Sequence, residues 1–293
     1  MVVCSMGPIG IVGAGSVAQA LGHLLSRHGQ PIVALADRTP ERAEQAAAFI
    51  GPNVQVVELA DLPRRSRRIL IAVADQGITK VAVALAPGLS GVDDAVVLHT
   101  SGAAGPDALA PLQAVGVACG VLHPLQTITT PEQGVQRLVG ITFGVAGAPP
   151  AVEWAAQLTR QLEGQVLEVD ADRFASYHAG AVMASNALVG VVDAALALMT
   201  KAGIDRREAL YAIGPLAFTT LENALTTGPS TALTGPIARG DAATVAAHLE
   251  AMREMPSQVR GLYEASARQL LALAKDRGLP AASVRAIESV LGG

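Results

Sequence analysis

Up to about residue 170, short continuous apolar runs alternate with longer stretches in which apolar residues recur every three or four positions. The runs predict strands over 8–13, 31–36, 54–57, 69–73, 95–100, 117–123, 140–146 and 165–169. The periodic stretches predict helices over 16–28, 40–49, 76–86, 105–114 and 151–163. A strand that is apolar along its whole length is one buried on both faces. Alternation of such strands with helices predicts a mostly parallel sheet with helices on both sides. Past Asp172 the strand signals stop. Residues 174–202 read as one long helix closed by Gly203, and 206–226 as a second that Pro215 should kink. A Gly/Pro-rich connection over 228–241 follows, whose Asp241 suits the cap of the next helix. Further helices are expected over 257–276 and from Pro280 onward. The boundary is a change of pattern without a linker, so two tightly packed domains are expected, 1–170 and 171–293.

Composition narrows the core more than the partners. Hydrophobic residues are 51% of the 293, but aromatics only 3%, so the core must be built from Ala, Val, Leu and Ile. A formal net charge of −4 gives no reason to expect nucleic acid or an anionic membrane. The run Arg64-Arg65-Ser66-Arg67-Arg68 reads as a solvated loop leading into a strand. Cys4 and Cys119 have neither metal-ligand spacing nor a disulfide framework, and no export signal is visible. A cytoplasmic protein without a metal centre is therefore expected. The uncharged stretch from Phe174 to Val192 is long enough to span a membrane. Its Ser176, Tyr177, His178, Ser185 and Asn186 make a core helix with working polar groups the better reading.

The chemistry begins at PIGIVGAGSVAQALG, residues 8–22, where the first strand breaks into Gly13-Ala14-Gly15. In this G-x-G-x-x-A pattern Gly13 allows the turn, Gly15 leaves room for a pyrophosphate, and Ala18 lets helix and strand pack. The helix opening at Ser16 and Val17 aims free N–H groups at the phosphates. Asp37 lies 22 residues after Gly15, where an acid would bond a ribose hydroxyl and favour NAD. Arg38, Thr39 and Arg42 follow it and could hold a 2′-phosphate, which tips the balance to NADP. Ligands in such folds lie at the carboxyl ends of the strands. Ala74 and Asp75 should therefore flank the cofactor, and the strand ends His99-Thr100-Ser101-Gly102 and His123-Pro124-Leu125-Gln126-Thr127 should open on the same crevice. His123 and Ser101 are the candidate reacting groups, because a carbonyl or imine that gains hydride also needs a proton or a polarising donor. His99, one residue deeper, reads as a satisfied buried histidine.

In the helical half, His178, Ser185, Asn186 and Asp193 fall within about a 100° arc if 174–202 is one straight helix. His178 and Asn186 would then form the second wall of the site. TGPIARGD, 234–241, offers Thr234 and Arg239 for a substrate carboxylate.

The motifs GAGSVAQALG, LHTSGA, HPLQT, YHAGAVMASN and ALTGPIARGD together resemble a bacterial group of Rossmann-like oxidoreductases whose second domain is of unknown function. The resemblance covers nearly the whole chain. It implies an NAD(P)-binding Rossmann domain and an all-helical dimerisation domain, similar to pyrroline-5-carboxylate reductase and the 6-phosphogluconate dehydrogenase-like superfamily. His123 is similar in place to the histidine of the His-Pro-Met motif of prephenate dehydrogenases. His178 stands where hydroxyacid dehydrogenases carry a catalytic lysine, so the chain departs from their mechanism. TGPIARGD looks like the turn that holds the substrate carboxylate in pyrroline-5-carboxylate reductases. The expected activity is hydride transfer between NAD(P) and a small carboxylate-bearing keto or imine substrate, of ketopantoate or pyrroline type. Two readings stand beside it: a non-catalytic dinucleotide sensor or scaffold, and a methyltransferase, which the glycine spacing and the helical second half disfavour.

Overall fold

A computed structural model describes residues 7–292; Cys4 lies outside them. In chain order the elements of the α/β part are β1 (Ile9–Val12), α1 (Ser16–Arg27), β2 (Ile32–Ala36), α2 (Pro40–Ile50), β3 (Gln55–Val56), α3 (Leu62–Arg65), β4 (Arg68–Ile71), α4 (Asp75–Leu89), β5 (Val96–His99), α5 (Ala110–Gln113), β6 (Ala118–Pro124), α6 (Pro131–Arg137), β7 (Thr142–Gly147), α7 (Pro149–Gln161) and β8 (Gln165–Glu168). The helical part comprises α8 (Phe174–Ala184), α9 (Asn186–Lys201), α10 (Arg206–Thr227), α11 (Pro229–Ala232), α12 (Gly235–Arg239), α13 (Ala242–Ala251), α14 (Ser257–Asp276) and α15 (Ala281–Val290).

All eight expected strands form one sheet in the order β3-β2-β1-β4-β5-β6-β7-β8. Every pairing is parallel except that of β6 with β7, where His123 lies opposite Gly144. Apolar clusters cover both faces: Ile9, Leu35, Leu98 and Trp154 belong to one, and Ile69, Val97, Leu85 and Leu112 to the other. This is the Rossmann-type architecture that uninterrupted apolar strands require. The chain reverses its order of strand addition between β1 and β4, which opens a crevice at their carboxyl ends.

Local differences from the sequence expectation have local causes. The segment expected as a helix over 105–114 is a 3-10 turn, Pro106–Leu109, followed by the single turn α5. Two short helices were not expected. One is α3, where Arg64 pairs with Asp61 at 2.9 Å. Arg68 already belongs to β4 and lies 5.5 Å from the Trp154 ring. The other is α6, seven residues with Gly134 as its buried residue, too few for a periodic signal. It is set by Thr130, whose hydroxyl accepts from Gln133 N–H, and by Pro131 in its first turn.

The helix expected over 174–202 is broken. Ser185 leaves helical geometry at φ −127°, ψ −76°, and its hydroxyl donates to Asn186 Oδ1 at 3.0 Å. Ser and Asn compete for backbone partners in this way, which makes them better caps than helix interiors. The stripe drawn across one straight helix therefore does not hold: His178 is on α8, while Asn186 opens α9. Among the described residues the run Ala171–Lys201 is long and apolar enough, by length and composition, to cross a membrane. Its start is nevertheless fixed to the sheet, since Phe174 is buried against Val121 and Ala146.

The chain divides into two compact units, Met1–Met183 and Ala184–Gly293. The first holds the sheet and most of α8. The second is helical, with a core of Leu233, Ile237, Val245, Leu271, Ile287 and neighbours from α12 to α15. Asp241 caps α13 by accepting from Thr244 N–H at 3.0 Å, and Gly203 closes α9 at φ +88°. Pro215 lies inside α10, which stays one helix of 22 residues.

Candidate active site

The glycine loop leaves β1 at Gly13, whose φ of +111° suits only glycine. A Cβ there would also run into the Ala72 carbonyl at the end of β4. A Cβ on Gly15 would meet nothing within 4 Å, so the space above the loop is open. Ala18 is 1% exposed in the helix–sheet contact. Gly15 caps α1 without a side-chain hydrogen bond, and no acid stands in its first turn. The N–H groups of Ser16 and Val17 are thus unclaimed at the positive end of a 12-residue helix. The loop is braced by Gln19, whose amide donates to Ala14 O at 2.9 Å, and Ser16 Oγ donates to Thr129 O at 3.2 Å.

Asp37 braces it from the other side. One carboxylate oxygen accepts from Ala14 N–H and the other from Thr39 N–H, each at 3.0 Å. The carboxylate is therefore turned into the loop, while Arg38 and Arg42 are exposed beside it. Ala74 and Asp75 are exposed where β4 runs into α4, with Asp75 in the first turn of that helix.

On the same edge of the sheet, the ends of β5 and β6 and the start of α8 bring three rings together. His123 Nδ1 lies 2.8 Å from the Tyr177 hydroxyl, with the rings edge to face at 5.7 Å between centroids. His123 and His178 also stand edge to face, 5.8 Å apart. A Cβ added to Gly102 would lie 2.5 Å from both His123 Nε2 and His178 Nδ1. These two nitrogens thus converge on a place that only a glycine leaves open. His178 Nδ1 is buried with no hydrogen-bond partner among the described residues. Burial, reinforced by the nearby His178, pushes the His123 pKa down to about 4, while Asp75 works in the opposite sense. His123 is therefore a neutral imidazole at neutral pH.

His99 is fully buried, and both its nitrogens are taken: Nδ1 accepts from Ser101 N–H at 3.2 Å and Nε2 faces Gly105 O at 3.1 Å. Burial lowers its pKa. Ser101 is buried as well, and its Oγ accepts from Ala103 N–H at 3.1 Å and Ala104 N–H at 3.0 Å. Its hydroxyl shapes the turn that carries Gly102 and keeps its own proton to donate. The thiol of buried Cys119 is pushed up to about 12 by desolvation, which makes it a poor nucleophile. Among the described residues no cluster of His, Cys, Asp or Glu could hold a metal ion.

Of the sequence-derived candidates, the first unit thus brings together His123 and His178, with Ser101 beneath Gly102. Asn186, Thr234 and Arg239 belong to the second unit, where all three are exposed. Sequence reasoning did not single out Tyr177, Gly102 or Gly144. The Tyr-His pair was visible within YHAGAVMASN, but nothing in the sequence says that Tyr177 lies against a strand glycine.

Comparisons with known proteins agree with this architecture. Residues 5–124 match the model of a Rossmann-like domain, and residues 141–270 that of a domain of unknown function, DUF2520. The fold is similar to that of a candidate NADP oxidoreductase from Bacteroides fragilis, at 25% identity and a TM-score of 0.69, over 91% of this chain and 98% of that one. It is similar to a pyrroline-5-carboxylate reductase from Coxiella burnetii, at 14% identity and a TM-score of 0.57, over 96% and 97%. It is also similar to an imine reductase from Myxococcus stipitatus in complex with NADP+, at 14% and 0.61, over 92% and 93%. No curated protein matches the chain.

Proposed function

Because the chain joins a Rossmann-like domain to a DUF2520 domain, we propose that it is an NAD(P)-dependent oxidoreductase that reduces or oxidises a small keto or imine substrate beside His123 and His178. The observation that carries this reading is positional. An open, uncapped helix start and a converging imidazole pair stand on one edge of the same sheet. Gly13, Gly15, Ser16 and Val17 would hold the pyrophosphate, Ala74 and Asp75 would flank the ribose or nicotinamide, and the bound nicotinamide would supply or accept the hydride. His123, being neutral, acts as a hydrogen-bond donor to the reacting oxygen or nitrogen rather than as an imidazolium acid. The proton is left to His178 or to water. Asn186 orients the substrate, and Thr234 and Arg239 contact its carboxylate. The likeness in fold to a pyrroline-5-carboxylate reductase and an imine reductase supports this substrate class. The cysteine usage supports a cytoplasmic setting.

NADP is the preferred cofactor. The Asp37 carboxylate is spent on two backbone N–H groups and turned into the loop, so exposed Arg38 and Arg42 meet an incoming 2′-phosphate first. NADPH should therefore raise the melting temperature more than NADH at equal concentration, since only a ligand of the folded state does so. Changing Arg38 and Arg42 together to alanine should weaken NADPH about 10- to 100-fold, the worth of one or two charge-assisted hydrogen bonds, and leave NADH nearly unchanged. A shift with neither cofactor would remove the reading. NADPH binding without turnover across a panel of keto acids and cyclic imines would favour the sensor alternative.

The proposal includes a homodimer through the helical part. Helix α10 buries Ala209, yet Tyr211 is 86%, Phe218 77% and Leu225 78% exposed, and Val189 on α9 is 72% exposed. Apolar surface of this extent calls for a covering partner, and a second copy of the chain fits a molecule with no other exposed site of the kind argued for here. Light scattering should report a dimer for the wild type and a monomer for Phe218→Glu combined with Leu225→Glu. A monomeric wild type at micromolar concentration would refute the interface.

A further inference from the structure

We infer that Tyr177 is a positioning residue of this site: its hydroxyl donates to His123 Nδ1 and so keeps the imidazole proton on Nε2, aimed at the space beside Gly102. The inference rests on the reading of His123 as the group that faces the substrate.

The direction of the hydrogen bond follows from counting donors and acceptors. Tyr177 Oη and His123 Nδ1 are 2.8 Å apart, and this is the hydroxyl's one hydrogen bond among the described residues. A neutral imidazole has one N–H and one bare nitrogen. If Nδ1 carried the proton and donated to Tyr177, the phenol proton would be left without an acceptor. Nε2 would then be bare and would face a second unpartnered nitrogen, His178 Nδ1. With the phenol donating, both groups are satisfied and Nε2–H points toward Gly102. Burial raises the Tyr177 pKa to about 12, so the phenol keeps the proton it donates.

The geometry is built by two glycines on facing elements. Gly144 lies opposite His123 across the antiparallel β6–β7 pair. A Cβ there would collide with the Tyr177 hydroxyl and lie 2.5 Å from its Cζ. The missing side chain is thus what lets the phenol lie on the strand and reach the neighbouring histidine. Gly102 does the same on the other side, for Nε2. Phe174, one turn before Tyr177 and 1% exposed, fixes the start of α8 so that the phenol arrives in register. A fixed Nε2–H selects for a reacting group with a lone pair, a carbonyl oxygen or an unprotonated imine nitrogen, and against an iminium.

The test is a long-range proton–nitrogen NMR spectrum of the full chain labelled with 15N-histidine, with the His123 signals identified by their loss in His123→Gln. The wild type should show a bare Nδ1 and a protonated Nε2. Tyr177→Phe removes one oxygen and should give an average of both tautomers. Gly144→Ala leaves both partners chemically intact, displaces the phenol, and should do the same. Unchanged His99 signals verify that each variant is folded. A wild-type His123 protonated on Nδ1, or a tautomer that neither variant changes, would overturn the inference. With a substrate in hand, Tyr177→Phe should lower kcat about 3- to 10-fold, the worth of one neutral hydrogen bond, without changing NADPH affinity. The tautomer is read without cofactor or turnover, so failure to bind NADPH would count against the proposed function and leave this result standing.

Discussion

Gly13→Ala is expected to abolish measurable NADPH binding and to lower the melting temperature by roughly 10 °C, at about 2–4 °C per kcal/mol for a domain of this size. Two independent costs add. At φ +111° the loop residue sits where a side chain is strained, by about 1–3 kcal/mol. Its Cβ would also press on the Ala72 carbonyl, which is backbone and cannot swing away, and overpacking of this kind costs about 1–3 kcal/mol more. The likely relief is a shift of the loop itself, and that movement would break the bonds from Ala14 to Asp37 and Gln19 that aim the start of α1. Calorimetric melting and a fluorescence titration with NADPH measure the two effects. Gly15→Ala is the contrast: its Cβ would meet no protein atom, so that variant should fold normally and lose affinity alone. Equal melting of Gly13→Ala and wild type would show that the loop is not tied to β4 as described.

Acidification is expected to destabilise the protein through His123, and a His123→Gln variant should lose that part of the acid sensitivity. An unfolded histidine titrates near 6.5, whereas burial and the neighbouring His178 hold this one near 4. Between those values the unfolded chain binds a proton that the folded chain refuses, so stability falls as the pH drops from about 6.5 toward 4. The contribution is fully present above 6.5. The whole span corresponds to at most about 3 kcal/mol, reduced by whatever solvent reaches the partly exposed ring. Buried His99 works in the same direction and remains in the variant, so the difference between the two curves isolates His123. Urea melts at pH 7 and pH 4.5 would measure it. Parallel curves for wild type and His123→Gln would mean that the imidazole is not held neutral. The same neutrality predicts that His123→Ala lowers kcat/KM by about 10²- to 10³-fold, the usual worth of a donor aimed at developing charge, with no new pH dependence between 6 and 8.

Much of the architecture could be read from the chain because it rests on short-range physics. Uninterrupted apolar runs such as IGIV and VVLH can be stable only where both faces are covered, so the strands and their parallel arrangement followed from hydrophobicity. The glycine loop was legible for a similar reason: the turn at Gly13 and the open space at Gly15 are demands on single residues. The break at Ser185 was not legible, because an apolar helical period runs through it. Only the local competition of Ser185 and Asn186 for hydrogen bonds decides the outcome. That break separates His178 from Asn186, which a straight helix would have placed on one stripe.

By itself, then, the sequence determined the Rossmann-type sheet, the helical second half and a nucleotide-binding loop, since each is written in periodicity or in the backbone freedom of a few glycines. It also marked His123 and His178 as chemically capable. Only the tertiary structure decided what surrounds them. The antiparallel register of β6 and β7 sets Gly144 against His123, and Phe174 anchors α8 so that Tyr177 fills the gap. Asp37 turns away from solvent because the loop it braces lies 23 residues earlier in the chain. Contacts of this kind join residues far apart in sequence, and their energies depend on distances of tenths of an ångström that no pattern of residue types encodes.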